Sequence, residues 1–219
     1  RKRTASTAAP TAAAPKKPLF TGKQLSFRST VIALGASTGG TEATLAVLKQ
    51  LPADIPGMVI TQHMPEGFTA MYAQRLNKLC QMEVREAKNG DQIRPGLVRI
   101  APGSQQMEVV RSANGGYAVR CFSGQKVSGH MPSVDVLFRS VAKNVAGNKI
   151  GIIMTGMGKD GAEGLLEMRK KGAFTIGQDK ASCVVYGMPM VAYNIGAVSI
   201  QAGCEQIPSV LLNHLKKSS

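Results

Sequence analysis

The chain has no tryptophan, its aromatic residues make up only 5% of it, and its 219 residues include just three histidines, five aspartates and four cysteines. Each shortage excludes something. A core without large rings must be built from Val, Ile, Leu, Met and Ala, the composition typical of parallel sheets flanked by helices. Cys80, Cys121, Cys183 and Cys204 are far apart and match neither CxxC nor a zinc-ligand spacing. Buried free thiols in a reducing cytoplasm are therefore expected, rather than a disulfide framework or a metal centre. No apolar run approaches the ~20 residues of a membrane span. No signal peptide with a charged start and an apolar middle opens the chain. A cytoplasmic protein without membrane insertion is the expectation.

What the chain has in excess is positive charge: 27 Lys and Arg against 13 Asp and Glu, a net +14. The location of that charge matters more than its size. Residues 1 to 28 hold Arg1, Lys2, Arg3, Lys16, Lys17, Lys23 and Arg28 and no acid, which is half of the net charge. The remainder is moderately basic and lacks both an RNA-binding aromatic signature and a dense Lys/Arg helix. An acidic protein partner is expected, and nucleic acid is not. The first 28 residues also hold too few large apolar side chains to offset the entropy of ordering them, so they read as a flexible basic linker ahead of a domain at 29 to 219. A chain that starts with Arg inside a linker suggests a segment upstream.

From Ser29 onward, short apolar runs alternate with helical patterns, the signature of βαβ units. Val31 to Leu34 and Met58 to Gln62 read as buried strands, each followed by a helix, over Thr41 to Leu51 and through Phe68, Met71, Tyr72, Arg75 and Leu76. Segments 97 to 101, 106 to 112 and 117 to 122 are β-prone, with a turn at Asn114, Gly115 and Gly116, and predict an antiparallel insertion. Pro132 and Ser133 open a helix. Ile150 to Met154 and Ala173 to Ile176 are further strands, and Gly161 to Lys171, Met188 to Asn194 and Ile207 to Leu215 further helices. The predicted fold is a doubly wound, mainly parallel α/β sheet with helices on both faces and an antiparallel hairpin insertion.

Gly35, Ser37 and Gly39 match GxSxG between a strand and a helix, the context in which that motif presents a nucleophile. The segment lacks the GK[ST] ending of a phosphate loop, and its glycines do not fit GxGxxG. A serine hydroxyl needs a neighbouring base. His63 directly follows the second strand, and the carboxyl ends of parallel strands line one crevice, so it is the candidate. His214 lies beside Lys216 and Lys217 and reads as a solvated surface residue. His130 precedes a helix start and reads either as a neighbour of its cap or as a substrate contact.

The imidazole in turn needs a carboxylate to fix its tautomer. Asp160 follows the strand at 150 to 154 and so reaches the same sheet edge, although it could instead cap a helix. Asp54, Asp91, Asp135 and Asp179 have ordinary surface explanations. Backbone amides in glycine-rich loops bind oxyanions, and those of Met157 and Thr38 are the candidates. The other methionines read as core filler. No cofactor motif or metal-ligand cluster is present in the sequence, and none is expected to be needed.

The blocks GASTGGTEA at 35 to 43, QHMPEGFT at 62 to 69, PSVDVLFRSVA at 132 to 142, TGMGKDGAEG at 155 to 164 and QDKASCVVYGMP at 178 to 189 together resemble the chemotaxis protein-glutamate methylesterases of the CheB type. The resemblance implies Ser37, His63 and Asp160 as the triad and the Met157 amide as an oxyanion donor. It also implies glutamyl methyl esters on the cytoplasmic helices of methyl-accepting chemotaxis receptors as substrate, glutamine deamidation as a second activity, and an inhibitory receiver domain upstream. Members of the family often carry Arg or Lys where this chain has Met131 and Met190.

The mechanism expected from these residues is serine acylation with release of methanol, followed by hydrolysis, with activity falling as the histidine is protonated, ordinarily around pH 6.5. Two rivals remain at this stage. One is a non-catalytic regulatory domain that uses GASTGG to hold an anion. The other is a nucleic-acid binder driven by the basic tail, whose affinity would depend on salt.

Overall fold

In a computed structural model, residues 18–20 and 24–218 are described. The elements in chain order are α1 (Gln24–Arg28), β1 (Val31–Ala36), α2 (Gly40–Leu48), β2 (Gly57–Gln62), α3 (Phe68–Leu79), β3 (Glu83–Glu86), β4 (Gln92–Ile93), β5 (Leu97–Ile100), β6 (Gln106–Arg111), β7 (Tyr117–Phe122), α4 (Val134–Asn144), β8 (Lys149–Ile153), α5 (Ala162–Lys170), β9 (Phe174–Gln178), α6 (Met188–Asn194), β10 (Ile200–Ala202) and α7 (Ile207–Lys217). Seven strands form one sheet in the order β10-β9-β8-β1-β2-β5-β3, and every pairing in it is parallel. A small antiparallel sheet, β4-β7-β6, stands apart.

The pleat of β1 explains the two layers of helices. Successive strand residues point to opposite faces. Ile32 and Leu34 enter a core with Leu45 and Leu48 of α2, Leu76 of α3 and Leu211 of α7. Val31 and Ala33 enter a second core with Leu137 and Phe138 of α4, Leu165 of α5 and Met188 of α6. A strand covered on both faces has to be apolar throughout, and all six residues of β1 are buried.

Three expectations need correction. The segment at 97 to 101, expected in the antiparallel insertion, is β5, which pairs in parallel with both β2 and β3 in the main sheet. All four of its residues are buried, as a strand inside a parallel sheet requires, so the insertion consists of β4 and the β6–β7 hairpin. The chain packs earlier than residue 29: Phe20 and Phe27 are buried with their rings edge to face at 5.0 Å, and the Leu19 and Phe20 amides donate to Asp54. Asp54 is thereby buried rather than a surface turn residue. The linker expected over residues 1–17 and 21–23 lies outside the described residues.

The chain places β1, β2, β5 and β3 to one side and then returns through β8 to the other side of β1. That reversal, between β1 and β8, is where a doubly wound sheet opens a crevice at its carboxyl edge. Among the described residues, no helix is long and apolar enough to cross a membrane.

Candidate active site

Ser37 and His63 stand at this reversal as the first residues beyond β1 and β2, and Asp160 lies on the loop that leaves β8. The β1–β2 register pairs Ala36 with Gln62, so the next residues, Ser37 and His63, leave the sheet side by side. The ladder continues past the strand ends, with the His63 amide donating to the Ala36 carbonyl (3.1 Å) and the Ser37 amide to the Thr155 carbonyl (2.9 Å) on the β8 side. Gln62, which the sequence reading passed over, ties the two together: its buried side-chain amide donates to the Ser37 carbonyl (2.9 Å) and the His63 carbonyl (3.3 Å).

The two outer glycines of the Gly-x-Ser-x-Gly segment serve different ends. Gly39 turns the backbone, in the left-handed region at φ 79°, and the Gly40 amide then closes onto the Ser37 carbonyl at 2.7 Å before α2 begins. Gly35 lies within β1, and a Cβ there would collide with the Val134 side chain of α4. Its missing side chain lets the start of α4 sit against the end of β1.

That approach matters because Asp160 is shared with α4. One carboxylate oxygen, Oδ2, is 2.7 Å from His63 Nε2 and accepts the Val134 amide at 2.7 Å. The other, Oδ1, accepts the Ser133 hydroxyl at 2.7 Å and the Asp135 amide at 3.0 Å. The sequence reading set a role with histidine against a role as helix cap. Asp160 does both, but it caps the start of α4, a helix earlier in the chain, rather than its own α5. Its side chain is fully buried. Burial alone would push this carboxyl up, but the hydrogen bonds from His63, the Asp135 and Val134 amides and Ser133 outweigh it and hold the group below the usual carboxylate range.

With Nε2 on Asp160, His63 leaves Nδ1 buried and without a hydrogen-bond partner in the protein. An imidazole whose Nε2–H donates to a carboxylate carries its lone pair on Nδ1. The nitrogen left unpaired belongs to a residue whose strand end neighbours the one that bears Ser37. Thr38 and Met157, the proposed oxyanion donors, flank Ser37 on the loops that follow β1 and β8. Among the described residues neither of their amides donates to a protein acceptor. The Met157 side chain is 71% exposed, so it is no core filler.

His130 also reaches the site. Its ring lies parallel to that of His63, with centroids 3.6 Å apart and an interplanar angle of 6°. The two rings line a cleft of ≈ 290 Å³ together with Met64, Lys126 and Met131, so Lys126 brings a cation close to where Met131 has none. Ligand atoms of His63, His130 and Asp160 lie within 4.8 Å of one another. Two stacked imidazoles, however, point their in-plane lone pairs alongside each other rather than at a common ion. A larger cavity, ≈ 870 Å³, opens at the opposite edge of the sheet beside Arg28, Arg94 and the 114–116 turn.

Two other sequence readings are corrected here. Asp135 is buried, not at the surface, and accepts the Gly164 amide at 2.7 Å. His214 is half-buried and stacked on Phe174, with centroids at 4.0 Å, and burial followed by the Lys217 charge lowers its pKa. The four cysteines are free thiols, each half-buried, and burial pushes Cys80, Cys121 and Cys183 up to about 11 each.

Comparison with known proteins converges on one family. The CheB methylesterase family model matches residues 32–211. Protein-glutamate methylesterase/protein-glutamine glutaminase 2 of Syntrophomonas wolfei is 59% identical over 185 residues, which is 84% of this chain and 54% of that protein. The enzyme of the same name from Syntrophotalea carbinolica is 61% identical over 166 residues, 76% of this chain and 47% of that protein. The chain thus spans about half the length of these curated relatives. The crystal structure of the Thermotoga maritima CheB methylesterase catalytic domain superposes with a TM-score of 0.81 at 33% identity, covering 84% of this chain and 97% of that one. The chain belongs to the CheB methylesterase family.

Proposed function

We propose that this chain is a serine hydrolase that removes methyl groups from glutamyl methyl esters of chemotaxis receptors and deamidates receptor glutamines. The observation that carries the proposal is the 2.7 Å contact of the buried Asp160 carboxylate with His63 Nε2, which leaves Nδ1 without a partner beside the strand end that bears Ser37. The names of the relatives from Syntrophomonas wolfei and Syntrophotalea carbinolica support the choice of substrate.

In this reading Ser37 Oγ attacks the side-chain carbonyl carbon while His63 Nδ1 accepts its proton. The oxygen that gains negative charge lies against the Thr38 and Met157 amides. The imidazolium, stabilised by Asp160, protonates the departing methoxide to methanol, or the departing amide nitrogen to ammonia. Water then attacks the acyl-enzyme with His63 again as base, releasing glutamate and restoring the serine. Esters and primary amides differ only in the group that leaves, so one site serves both reactions.

The test is methanol release from a methylated chemotaxis receptor by the native chain and by Ser37→Ala. The native chain is expected to release methanol and the variant none above background. Equal release from both would end the serine reading. Tight phosphate binding without methanol release would favour the anion-binding alternative.

A further inference from the structure

The hairpin sheet and the loop after it hold His130 more firmly than a surface contact residue requires. Val127 and His130 exchange both backbone hydrogen bonds, at 3.0 and 2.9 Å, around Ser128 and Gly129, which are both left-handed at φ 52° and 82°. This is a two-residue turn of the primed type, in which Gly or Asn is the favoured first residue and serine is strained. The strain is held by contacts. Ser128 Oγ donates to Asp135 Oδ2 at 3.2 Å, and the Ser128 carbonyl is 2.8 Å from His130 Nδ1. The buried Gln106 of β6 donates to the His130 and Gln125 carbonyls, at 3.2 and 3.0 Å, and accepts the Ser133 amide at 2.8 Å.

All of these contacts fix one ring. A carbonyl on Nδ1 makes that nitrogen the donor, so His130 is held as the Nδ1–H tautomer with its orientation set, and the face it presents is spent on His63 at 3.6 Å. His63 itself has one side-chain hydrogen bond, to Asp160. A single bond lets a ring pivot about it, and a flat neighbour parallel to the ring removes that freedom. The same neighbour covers one face of the Nε2–H···Asp160 contact against water.

We infer that His130 is a positioning residue for the base: by stacking on His63 it keeps Nε2 on Asp160 and Nδ1 turned toward Ser37, and the β6–β7 sheet serves to hold it there. The inference rests on the reading of His63 as the base. It makes a claim that a substrate contact would not, because a flat ring without nitrogen should do most of the work. A substrate contact through the outer edge of His130 would need that nitrogen.

The experiment compares the native chain with His130→Ala and His130→Phe, with thermal melts as a control for folding. In ester hydrolysis, His130→Ala is expected to lower kcat on the order of ten-fold or more with KM within about two-fold, since misplaced reacting groups cost rate rather than binding. His130→Phe is expected to recover kcat to within about three-fold of native. The second readout does not depend on activity. The low-field proton on His63 Nε2 should persist in water in the native chain and in His130→Phe, and be lost to exchange in His130→Ala. Should the alanine variant not fold, His130→Phe still decides, because kcat more than about thirty-fold below native would contradict a stacking role. Raised KM with unchanged kcat in both variants, or a His63 proton that persists equally in all three proteins, would overturn the inference. If the native chain releases no methanol but the proton follows the expected pattern, the proposed function fails while the stack stands.

Discussion

Asp160 is the residue on which the site turns, because it serves two neighbours with one carboxylate. Asp160→Asn keeps Oδ1 for the Ser133 hydroxyl and the Asp135 amide but puts an NH2 where the Val134 amide donates and His63 needs an acceptor, forcing the ring into the tautomer that protonates Nδ1. The expected loss in kcat is about 10³–10⁴-fold with KM little changed, measured as methanol release. The same carboxylate governs stability in acid. Its folded-state pKa is depressed, so it stabilises the fold above the ordinary carboxylate range and loses that contribution as pH falls through the folded value. Melting temperature followed from pH 5 down to pH 2 should fall for the native chain, and less steeply for Asp160→Asn. Ser37 and His63 were legible in the sequence because each directly follows an apolar run and strands deliver their next residue to a known edge, and Asp160 because it lies on the loop leaving the strand at 150 to 154. Gln62 and Asp135 were not, and the stacking of His130, which the sequence offers only as a cap neighbour or a substrate contact, was not either, because these roles are contacts between segments far apart in the chain.

At the scale of elements, α4 joins the site to the domain. Its first amides sit on Asp160, its Ser133 cap donates to the same carboxylate, and Asp135 in its first turn accepts from Gly164 in α5. Burial first, and then the Asp160 charge, raise the pKa of Asp135 against the lowering pull of the Gly164 amide. The sign is opposite to that of Asp160: its contribution is present below the unfolded value and is lost as pH rises through the folded one. Asp135→Asn keeps the acceptor and removes the repulsion, so its stability at pH 7 should match or slightly exceed native. Asp135→Ala leaves a buried amide unpaired and should cost about 1–3 kcal/mol in denaturant melts. Equal stabilities for the two variants would contradict the assigned contact. The sequence misjudged β5 for a related reason, since the four residues Leu97 to Ile100, with Arg99 among them, are too few to show a periodicity that chooses between the main sheet and the hairpin.

On the scale of the whole molecule, the order of the strands makes the site. Alternating strand and helix patterns announced a doubly wound sheet, but nothing local says that β8 returns beside β1 rather than beyond β3. That return brings residues 37, 63 and 160 to one rim, with Ser37 between the loops that carry the other two. With Cys80, Cys121 and Cys183 at about 11, alkylation by iodoacetamide at pH 7 should be slow and should not reduce methanol release. The rim as a unit is tested by reaction with a fluorophosphonate, which bonds only to a serine activated by a neighbouring base. Mass spectrometry of the native chain is predicted to find one adduct, on Ser37, and His63→Ala is predicted to carry none. An adduct elsewhere, or one on Ser37 that forms as fast without His63, would contradict the account.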